Sequence, residues 1–439
     1  MRLLAAGFAR ARSSRRVAIV AAGLSAIALV LSGCSLAGSG ASTSDTIRIG
    51  YIAPVTGAYA GFTDGDPYML NVVRDHFKSG LKIGNKNYKV DIITRDSGSD
   101  PTKAGQLATQ LITQDKVDLL LATSTPETTN PVIAQCEANA VPCLTTIAPW
   151  QAVVFGGGFS TTKPMKWTHH FFYGIEGFGT VEPQTWNQVP TDKKVGVLWP
   201  NDSDGAAFRD PKTGYAPFAE KAGYSVVDPG PYEDGTQDFT SIIQKFKQEG
   251  VQIIAGVPTP PDFVTFWTQA AQQGFHPKVA TIAKALFFPA TVPSIPNDLG
   301  QGLAFTSAWG PTFPYKSSFD GTTAAQWVQK FQASPQTKNL TWSEATPDNE
   351  ALFELAAKAF AAAKNPHNKT GVNAAFNKIN MMTLDGQIDF TGGPFPGVAV
   401  VPTAESQWEK TSDGKWQWVV VDKGTVPGLK VDRALEPIK

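Results

Sequence analysis

Residues 100–123, DPTKAGQLATQLITQDKVDLLLAT, contain a helix followed directly by a strand, and this unit decides the fold. Asp100 before Pro101 is typical of a helix N-cap with proline at the first helical position. Apolar residues then recur at the spacing of one helical face, namely Ala104, Leu107, Ala108, Leu111 and Ile112. The run 117–123 is short and apolar, which indicates a strand buried in a parallel sheet.

The same alternation of strand and helix continues on both sides of this unit. Apolar runs predict further strands at 47–53, 88–94, 142–145, 194–200, 224–227, 251–257 and 279–283. Helical spacing predicts helices at 67–79, 130–138, 215–222, 238–248, 262–273 and 349–364. Because the alternation comes in two series, 47–149 and 194–285, we predict an α/β fold with two doubly wound parallel-sheet lobes.

The composition is that of a globular protein without excess charge. Apolar residues make up 42% of the 439 residues and charged residues 17%, which excludes a disordered chain. There are 38 basic and 38 acidic residues, but five arginines lie in the first 44 residues, which contain no acid. Without that segment, 33 basic residues face 38 acidic ones. This balance gives no electrostatic reason to expect a nucleic-acid partner.

Residues 1–33 have the order of an export signal: arginines, the apolar run 17–31, and small residues before Cys34. The ending LSGC resembles the bacterial lipobox, which implies cleavage before Cys34 and a lipid on its sulfur. The alternative is an ordinary signal peptide with an incidental cysteine. Residues 34–45, rich in Ser, Gly and Ala, predict a flexible tether. We therefore expect a lipid-anchored protein on the extracytoplasmic face of the cell membrane.

Two further cysteines, Cys136 and Cys143, lie in the segment QCEANAVPCL. The first is near the end of a predicted helix and the second opens the next apolar run. In an oxidising compartment this spacing favours a disulfide, and two separate buried thiols are the alternative. No histidine or third cysteine is near in sequence, so a metal site is not predicted there.

Sequence motifs of catalysis are absent. Residues 35–439 contain no GxxxxGK[ST], GxSxG, HExxH or CxxC. His169 and His170 fall in a predicted strand, where neighbours point to opposite faces, so paired metal ligation is not expected. The segment 201–205, NDSDG, has its glycine at the wrong offset for a calcium loop. We expect no cofactor, no metal and no enzymatic activity; a lipoprotein hydrolase is the enzymatic alternative.

Polar residues cluster where the predicted strands end. In an open parallel sheet, ligands bind beyond the carboxyl ends of the strands. The residues at those ends are Thr56, Tyr59, Ser97, Ser124, Thr125, Thr145, Thr146, Trp150, Asn201, Asp202, Asp204, Thr259, Asp262 and Lys284. Hydroxyls beside helix N-termini suit a small anion such as a carboxylate. The aromatic residues that suit an apolar body are Tyr59, Trp150, Tyr173, Trp199 and Trp309.

Each of these residues also has a purely structural interpretation. Serine and threonine commonly serve as helix caps and turn residues. Asp262 is placed to be only the N-cap of its helix, and Trp150 only a core residue. The collective pattern therefore carries more weight than any single position.

Several segments follow one another in a fixed order: IRIGYIAPVTGAYA (47–60), residues 96–126, CEANAVPCLTTIAP (136–149), VGVLWPNDSDGAAF (195–208) and GLAFTSAWGP (302–311). In that order they resemble the type I periplasmic binding proteins. The most similar group is the branched-chain amino-acid (Leu/Ile/Val-binding) class that supplies ABC importers. The resemblance extends over residues 46–439. It implies two lobes joined by three hinge crossings, near Phe172, Phe305 and Leu384.

The resemblance also implies an assignment of the chain to the lobes. Lobe 1 would contain residues 46–172 and 306–384, and lobe 2 residues 173–305 and 385–439. It further implies that the ligand's carboxylate and ammonium meet lobe 1 at Ser124, Thr125 and the loop 145–148. Asp262 of lobe 2 would pair with the ammonium.

Two positions depart from the pattern of amino-acid binders. Ile147 stands where they commonly have threonine, and Asp204 where they commonly have tyrosine. Both departures weaken the prediction of a plain α-amino acid, and together with Trp150 and Trp309 they leave an aromatic or larger organic acid or amide as an alternative. The predicted ligand-binding residues are Thr56, Tyr59, Ser124, Thr125, Thr145, Thr146, Trp150, Tyr173, Asp204, Thr259, Asp262, Lys284 and Trp309.

The sequence thus predicts a monomeric solute-binding lipoprotein that closes on one small molecule and serves ABC permease subunits. The expected ligand is a branched-chain or other amino acid, or a related organic acid or amide. The alternatives are an aromatic or larger hydrophobic acid as the ligand, or a sensor that presents its closed form to a signalling receptor.

Overall fold

The computed structural model describes residues 45–438, which form two seven-stranded sheets and one two-stranded sheet. The strands in chain order are β1 (Thr46–Ala53), β2 (Leu81–Ile83), β3 (Lys86–Asp96), β4 (Leu119–Thr123), β5 (Cys143–Thr146), β6 (Thr168–Phe171), β7 (Lys194–Leu198), β8 (Ser225–Val227), β9 (Ile253–Gly256), β10 (Val279–Ile282), β11 (Ala304–Ser307), β12 (Asn380–Thr383), β13 (Gly386–Asp389), β14 (Val398–Ala399), β15 (Ala404–Lys410) and β16 (Trp416–Asp422).

Helices connect most of these strands. The α-helices are α1 (Asp66–Phe77), α2 (Pro101–Thr113), α3 (Pro126–Asn139), α4 (Trp150–Val154), α5 (Ile175–Trp186), α6 (Ser203–Arg209), α7 (Ala216–Lys221), α8 (Thr240–Glu249), α9 (Pro260–Gln272), α10 (Thr291–Ser294), α11 (Ala324–Ala333), α12 (Ala345–Ala363) and α13 (Lys369–Phe376). Short 3-10 helices lie at Ala60–Thr63, Ala285–Phe287, Pro296–Asp298 and Pro335–Thr337.

Each large sheet is the centre of one lobe. Sheet 1 has the strand order β14-β6-β5-β4-β1-β3-β2, in which β2 alone runs antiparallel to its neighbour. Sheet 2 has the order β16-β15-β11-β10-β9-β7-β8, with antiparallel strands only at the β15–β16 end. The parallel strands follow from the helical crossovers between them. The predicted α/β fold with two lobes is confirmed.

The opening unit of the sequence folds as its pattern predicts. The Asp100 side chain accepts a hydrogen bond from the Lys103 backbone N–H (2.7 Å) and so caps α2. The apolar face of α2 is buried at Ala104, Ala108, Leu111 and Ile112. Strand β4 is buried along its whole length and pairs with β1 and β5, which places it in the middle of sheet 1.

The chain passes between the sheets three times. The first passage follows β6, and the second follows β11, which continues past Phe305 to Ser307. The third lies between β14 and β15, in residues 400–403. The predicted crossing near Leu384 is therefore wrong, because β14 pairs with β6 in sheet 1, where Phe172 N–H donates to Ala399 O (3.2 Å). A two-residue strand is too short for any sequence period to reveal it.

The predicted disulfide is also absent from the structure. Cys136 and Cys143 are buried free thiols, in α3 and at the start of β5. Burial raises the pKa of the Cys143 thiol well above its ordinary value, and the neighbouring Cys136 adds to this. Here the alternative of two buried thiols is the one observed.

The predicted signal, the lipidation site Cys34 and most of the tether lie outside the described residues. Between residues 45 and 438, no helix combines the length and apolarity needed to cross a bilayer.

Candidate functional site

A cavity of about 920 Å³ lies between the two lobes, at the carboxyl ends of the strands. Lobe 1 contributes residues that follow β1, β4 and β5, and lobe 2 contributes residues that follow β7 and β8. We call this cavity the outer cavity; it is lined by Tyr59, Glu127, Gln151, Phe155, Gly156, Asn201, Asp202, Ser203, Ala206, Ala207, Asp210, Lys212, Thr213, Glu233 and Asp234. Its volume is in the range of sites for small organic molecules.

A second, much smaller cavity lies deeper between the lobes and is mostly apolar. We call it the inner pocket; it is lined by Phe62, Thr125, Ile147, Ala148, Pro149, Phe172, Phe178, Asp204, Val257, Ala283, Lys284 and Phe287. Its volume is about 30 Å³, which is room for a water molecule but for no organic solute. Four phenylalanines, Phe62, Phe172, Phe178 and Phe287, are among its lining residues.

A group of charged side chains stands between the two cavities. The Lys284 ammonium lies 3.0 Å from Asp202 Oδ2 and 2.7 Å from Asp204 Oδ2. Carboxylate oxygens of Glu127, Asp202 and Asp204 all lie within 4.8 Å of one another. We call these four residues the cleft cluster. Glu127 belongs to lobe 1 and the other three to lobe 2, so the cluster joins the lobes.

A backbone hydrogen bond makes the same connection. The Ser203 N–H, in the first turn of α6, donates to Glu127 Oε1 (2.8 Å) in the first turn of α3. Burial opposes ionisation of Glu127, but Lys284 and this N–H outweigh it and lower the pKa of the carboxyl. Glu127 is therefore a carboxylate held against lobe 2.

The pKa values of the other cluster residues reflect burial and their neighbours. Burial raises the pKa of Asp204 to about 7, although Lys284 acts in the opposite direction. Burial lowers the pKa of Lys284, but Asp204, Asp202 and Glu127 outweigh it, so the net shift is upward. Asp234, at the edge of the outer cavity, has its pKa raised to about 6 by burial and by Asp202.

Three non-glycine residues around the inner pocket have left-handed backbone conformations. Ser124 (φ 99°), Ile147 (φ 61°) and Lys284 (φ 56°) follow β4, β5 and β10. Such conformations cost about 1–3 kcal/mol each and persist where the surrounding structure enforces them. The backbone is thus strained at the three strand ends that form the pocket.

Four of the predicted ligand-binding residues line these cavities. Tyr59 lines the outer cavity, and Thr125, Asp204 and Lys284 line the inner pocket. Ser124 is fully buried beside them, and its hydroxyl has no hydrogen-bond partner among the described residues.

The remaining predicted hydroxyls are used within the framework. Thr145 Oγ1 is hydrogen-bonded to His170 Nδ1 (2.8 Å), and Thr146 Oγ1 donates to Phe171 O (2.8 Å). Both bonds join β5 to β6. Thr56 is exposed, and its hydroxyl donates to Asp96 Oδ2 (2.7 Å). None of the three threonines is among the described residues that line the outer cavity or the inner pocket.

Asp262 holds a loop rather than facing the cavities. It accepts hydrogen bonds from Thr259 Oγ1 (2.9 Å) and from Gly235 N–H (2.9 Å). Both carboxylate oxygens are therefore occupied, and Asp262 is not the N-cap of α9, because Thr259 precedes the helix. Gly235 follows Asp234, so this bond fixes the edge of the outer cavity.

The predicted aromatic residues are mostly part of the core. Trp150 donates through Nε1 to Glu176 (2.8 Å), and Trp309 donates to Leu384 O (2.8 Å). The Tyr173 hydroxyl donates to Glu344 (3.2 Å). Trp199 is buried in lobe 2. Their hydrogen bonds are made inside the protein, which leaves aromatic contact in the outer cavity to Tyr59 and Phe155.

The sequence reasoning missed several cavity residues, above all Glu127. A glutamate in the first turn of a helix is ordinarily explained by the helix dipole, so its position gave no separate signal. Gln151, Phe155 and Asp234 lie in loops or short helices without a recognisable period. The proximity of Glu127 to Thr125 at a predicted strand end was the one usable indication.

The sequence and the fold are both similar to those of known proteins. The profile of the periplasmic binding protein family matches residues 46–407. The leucine-binding protein LivK from Thermotoga maritima superposes with a TM-score of 0.69 at 16% identity, covering 86% of this chain and 99% of that one.

Two ligand complexes are similar as well. The branched-chain amino-acid binding protein LivJ from Streptococcus pneumoniae, in complex with isoleucine, has a TM-score of 0.66 at 18% identity, covering 86% of this chain and 99% of that one. A solute-binding protein of an ABC transporter from R. palustris, in complex with 4-hydroxybenzoate, has a TM-score of 0.67 at 18% identity, covering 90% and 98%.

At these identities the solved structures establish the fold, while the family profile spans most of the sequence. Members of this family are extracytoplasmic binding proteins rather than enzymes. A protein from Sphaerobacter thermophilus with a similar structure is an ABC transporter substrate-binding protein. A cavity between two lobes is a common location for a small-molecule site. The chain therefore belongs to the periplasmic binding protein family.

Proposed function

We propose that the protein captures one small organic solute between its lobes and delivers it to the permease subunits of an ABC importer. The observation that carries this proposal is the cavity of about 920 Å³ together with the Ser203–Glu127 hydrogen bond across it. The bond joins α3 of lobe 1 to α6 of lobe 2, so it exists only when the lobes are close. The structure thus has the geometry of a closed clamp.

Closure and capture are coupled in this proposal. Rotation about the three crossings separates Glu127 from Ser203 and opens the outer cavity to solvent. A solute that contacts both lobes stabilises the closed form by its differential affinity for it. The permease would then recognise surfaces that only the closed form brings together.

For the ligand, we propose a small organic solute that carries an amino or amide group, a class that includes the amino acids and amides expected from the sequence. Isoleucine and 4-hydroxybenzoate in two structural relatives show that this fold accepts both aliphatic and aromatic bodies. The residues we assign to contact are Tyr59, Thr125, Asp204 and Lys284, joined by Glu127. Their positions in the cavity lining support this assignment.

Lipid anchoring is a separate part of the proposal. Cys34 would carry the lipid, and residues 35–44 would link the lobes to the membrane surface, which raises the protein's concentration near the permease. Incorporation of a radiolabelled fatty acid in cells tests this. A Cys34→Ala variant should lose the label, and equal labelling of both proteins would contradict the assignment.

Capture is tested by filling the outer cavity. A thermal-shift panel of amino acids, amides, aromatic acids and amines identifies a ligand, which at 100 times its Kd adds about 2.7 kcal/mol of stability. Ala206 is exposed and lines the outer cavity, so Ala206→Trp should abolish the shift without loss of folding. Ala222→Trp, at an exposed residue after α7, is the matched control. Full binding by the Ala206→Trp variant would contradict the site.

A further inference from the structure

The outer cavity has a strongly unequal charge. Of its described lining residues, five are acidic and one, Lys212, is basic; the acids are Glu127, Asp202, Asp210, Glu233 and Asp234. Asp204 adds a sixth carboxyl just behind them, in the inner pocket. The one lysine of the cleft cluster, Lys284, is already ion-paired with Asp202 and Asp204.

Two carboxyl oxygens of the cleft cluster also lack a donor. Oδ1 of Asp204 and Oε2 of Glu127 are buried and have no hydrogen-bond partner among residues 45–438. Asp204 is only 4% exposed and lines the inner pocket. A buried acceptor without a partner costs about 1–3 kcal/mol, so these two atoms call for a donor from outside the protein.

A solute anion would be poorly received at this place. Its carboxylate would approach five acidic side chains, and the Lys284 ammonium that could bind it is engaged on both sides. An ammonium group, in contrast, would be stabilised here, because it donates hydrogen bonds to the two unpaired oxygens and its positive charge offsets the negative charge of the cavity. Tyr59 and Phe155 line the same cavity and supply aromatic surface for the apolar part of the solute.

We propose that the cleft cluster receives an ammonium group, and that the solute is an amine without a carboxylate of its own. The inference rests on the proposed function, since it names the chemical class that the clamp holds. The ammonium lies at Glu127 and Asp204, where the two cavities meet. The body of the solute lies in the outer cavity, because the inner pocket holds about 30 Å³.

The experiment compares solutes that differ only in charge. Isothermal titration calorimetry of the purified chain uses leucine, 3-methylbutylamine and 4-methylpentanoate, which share one aliphatic body. A second pair, 4-hydroxybenzylamine and 4-hydroxybenzoate, shares one ring. We expect at least one amine to bind, and to bind at least about ten-fold more tightly than its acid partner.

Two variants locate the effect. Glu127→Gln keeps the size and the cross-lobe acceptor but removes the charge, and it should weaken amine binding about ten-fold. Glu220→Gln, on exposed α7, removes the same charge outside the cavities and should leave amine binding unchanged.

The outcomes separate this inference from the proposed function. If leucine or the acids bind and the amines do not, the amine class is wrong while capture between the lobes stands. Amine binding that Glu127→Gln leaves intact overturns the cleft cluster as the receiving site. If none of the five solutes binds, the inference is overturned, and the proposed function falls only if the thermal-shift panel is negative too.

Discussion

Two of the groups of buried carboxyl residues in the described part of the chain are stabilised differently. In the cleft cluster, Asp202 and Asp204 share the ammonium of Lys284. Near the crossings, Glu344, Asp348 and Asp385 are at most 4% exposed, and no described lysine or arginine forms an ion pair with them. We call these three residues the hinge cluster.

The hinge cluster relies on protons and hydrogen bonds instead of a cation. Glu344 accepts hydrogen bonds from the Tyr173 hydroxyl (3.2 Å) and from Ala308 N–H (3.1 Å), so one carboxyl is bonded close to both the first and the second crossing. Burial raises the pKa of Glu344 and of Asp348 well above their ordinary values, and that of Asp385 to about 7.

The difference assigns separate tasks to the two clusters. The hinge cluster is largely neutral below pH 7, and it can therefore stay buried whether the lobes are open or closed. In the cleft cluster Glu127 and Lys284 keep their charges, and they belong to different lobes, so the energy of the cluster changes when the lobes separate. We therefore expect a charged solute to affect the cleft cluster and to leave the hinge cluster unchanged.

Removal of the cation from the cleft cluster should have the largest effect. Lys284→Met leaves the oxygens of Glu127, Asp202 and Asp204 within 4.8 Å of one another without a counter-charge. Loss of one partner of a buried ion pair costs about 3–5 kcal/mol, which we expect in the free energy of unfolding by urea. The exposed pair Lys330–Asp320 is the control, and Lys330→Met should cost less than about 1 kcal/mol. Equal losses in both variants would show that Lys284 has no special role.

Increasing the pH should lower the free energy of unfolding, because buried carboxyl groups lose their protons. Burial raises the pKa of Glu354 to about 7 and that of Asp385 to about 7. In the unfolded chain these groups ionise near pH 4, so between pH 4 and 7 the native state binds more protons, and stability falls as pH rises. One carboxyl shifted this far contributes on the order of 3 kcal/mol over that window.

Urea unfolding at pH 5 and pH 8 measures this dependence. Asp385→Asn removes one of the titrating groups and should flatten the slope, whereas Asp75→Asn, at an exposed residue of α1, should not. A stability that increases from pH 5 to pH 8 would contradict the assignment of the hinge cluster as protonated.

A substitution at Trp309 tests whether this residue belongs to the protein core or to the binding site. Its ring is fully buried, and its Nε1 donates to Leu384 O (2.8 Å). Trp309→Phe should lower the free energy of unfolding by about 2 kcal/mol through lost volume and a lost hydrogen bond. The affinity for a solute identified in the panel should not change. A large loss of affinity with normal stability would return Trp309 to the binding site.

Thr145 should give the smallest effect. Thr145→Val removes the hydrogen bond to His170 Nδ1 at nearly constant volume, and we expect a loss of about 1 kcal/mol in chemical denaturation. Solute affinity should remain as in the parent protein, because Thr145 lines neither cavity as described. Reduced affinity here would support the original expectation from the sequence.

Most of the fold could be predicted because its elements are long and regular. The N-cap at Asp100 and the buried face of α2 are local features, and the structure reproduces them. The third crossing could not be placed, because β14 has two residues and is defined by its partner β6 alone. In the tail, α13 has only eight residues and contains Gly371, whereas α11 was missed although Thr323 and Gln326 form a capping box at its start.

The site could be predicted only in part. Strand ends located Tyr59, Thr125, Asp204 and Lys284, because parallel strands bring their carboxyl ends together. Which hydroxyl is free is decided by partners far away in sequence, as in the bond between Thr145 and His170. The importance of Glu127 arises from its contact with lobe 2, which no local pattern encodes.

The bond between Phe172 and Ala399 has a mechanical consequence. It places the start of the first crossing and the start of the third side by side, as two strands of one short ladder. When the lobes rotate, β6 and β14 must therefore move together as one hydrogen-bonded unit. Bending is then confined to the few residues beyond that ladder. A change in the length of residues 400–403 would therefore alter the angle between the two lobes without changing any residue that lines the cavities.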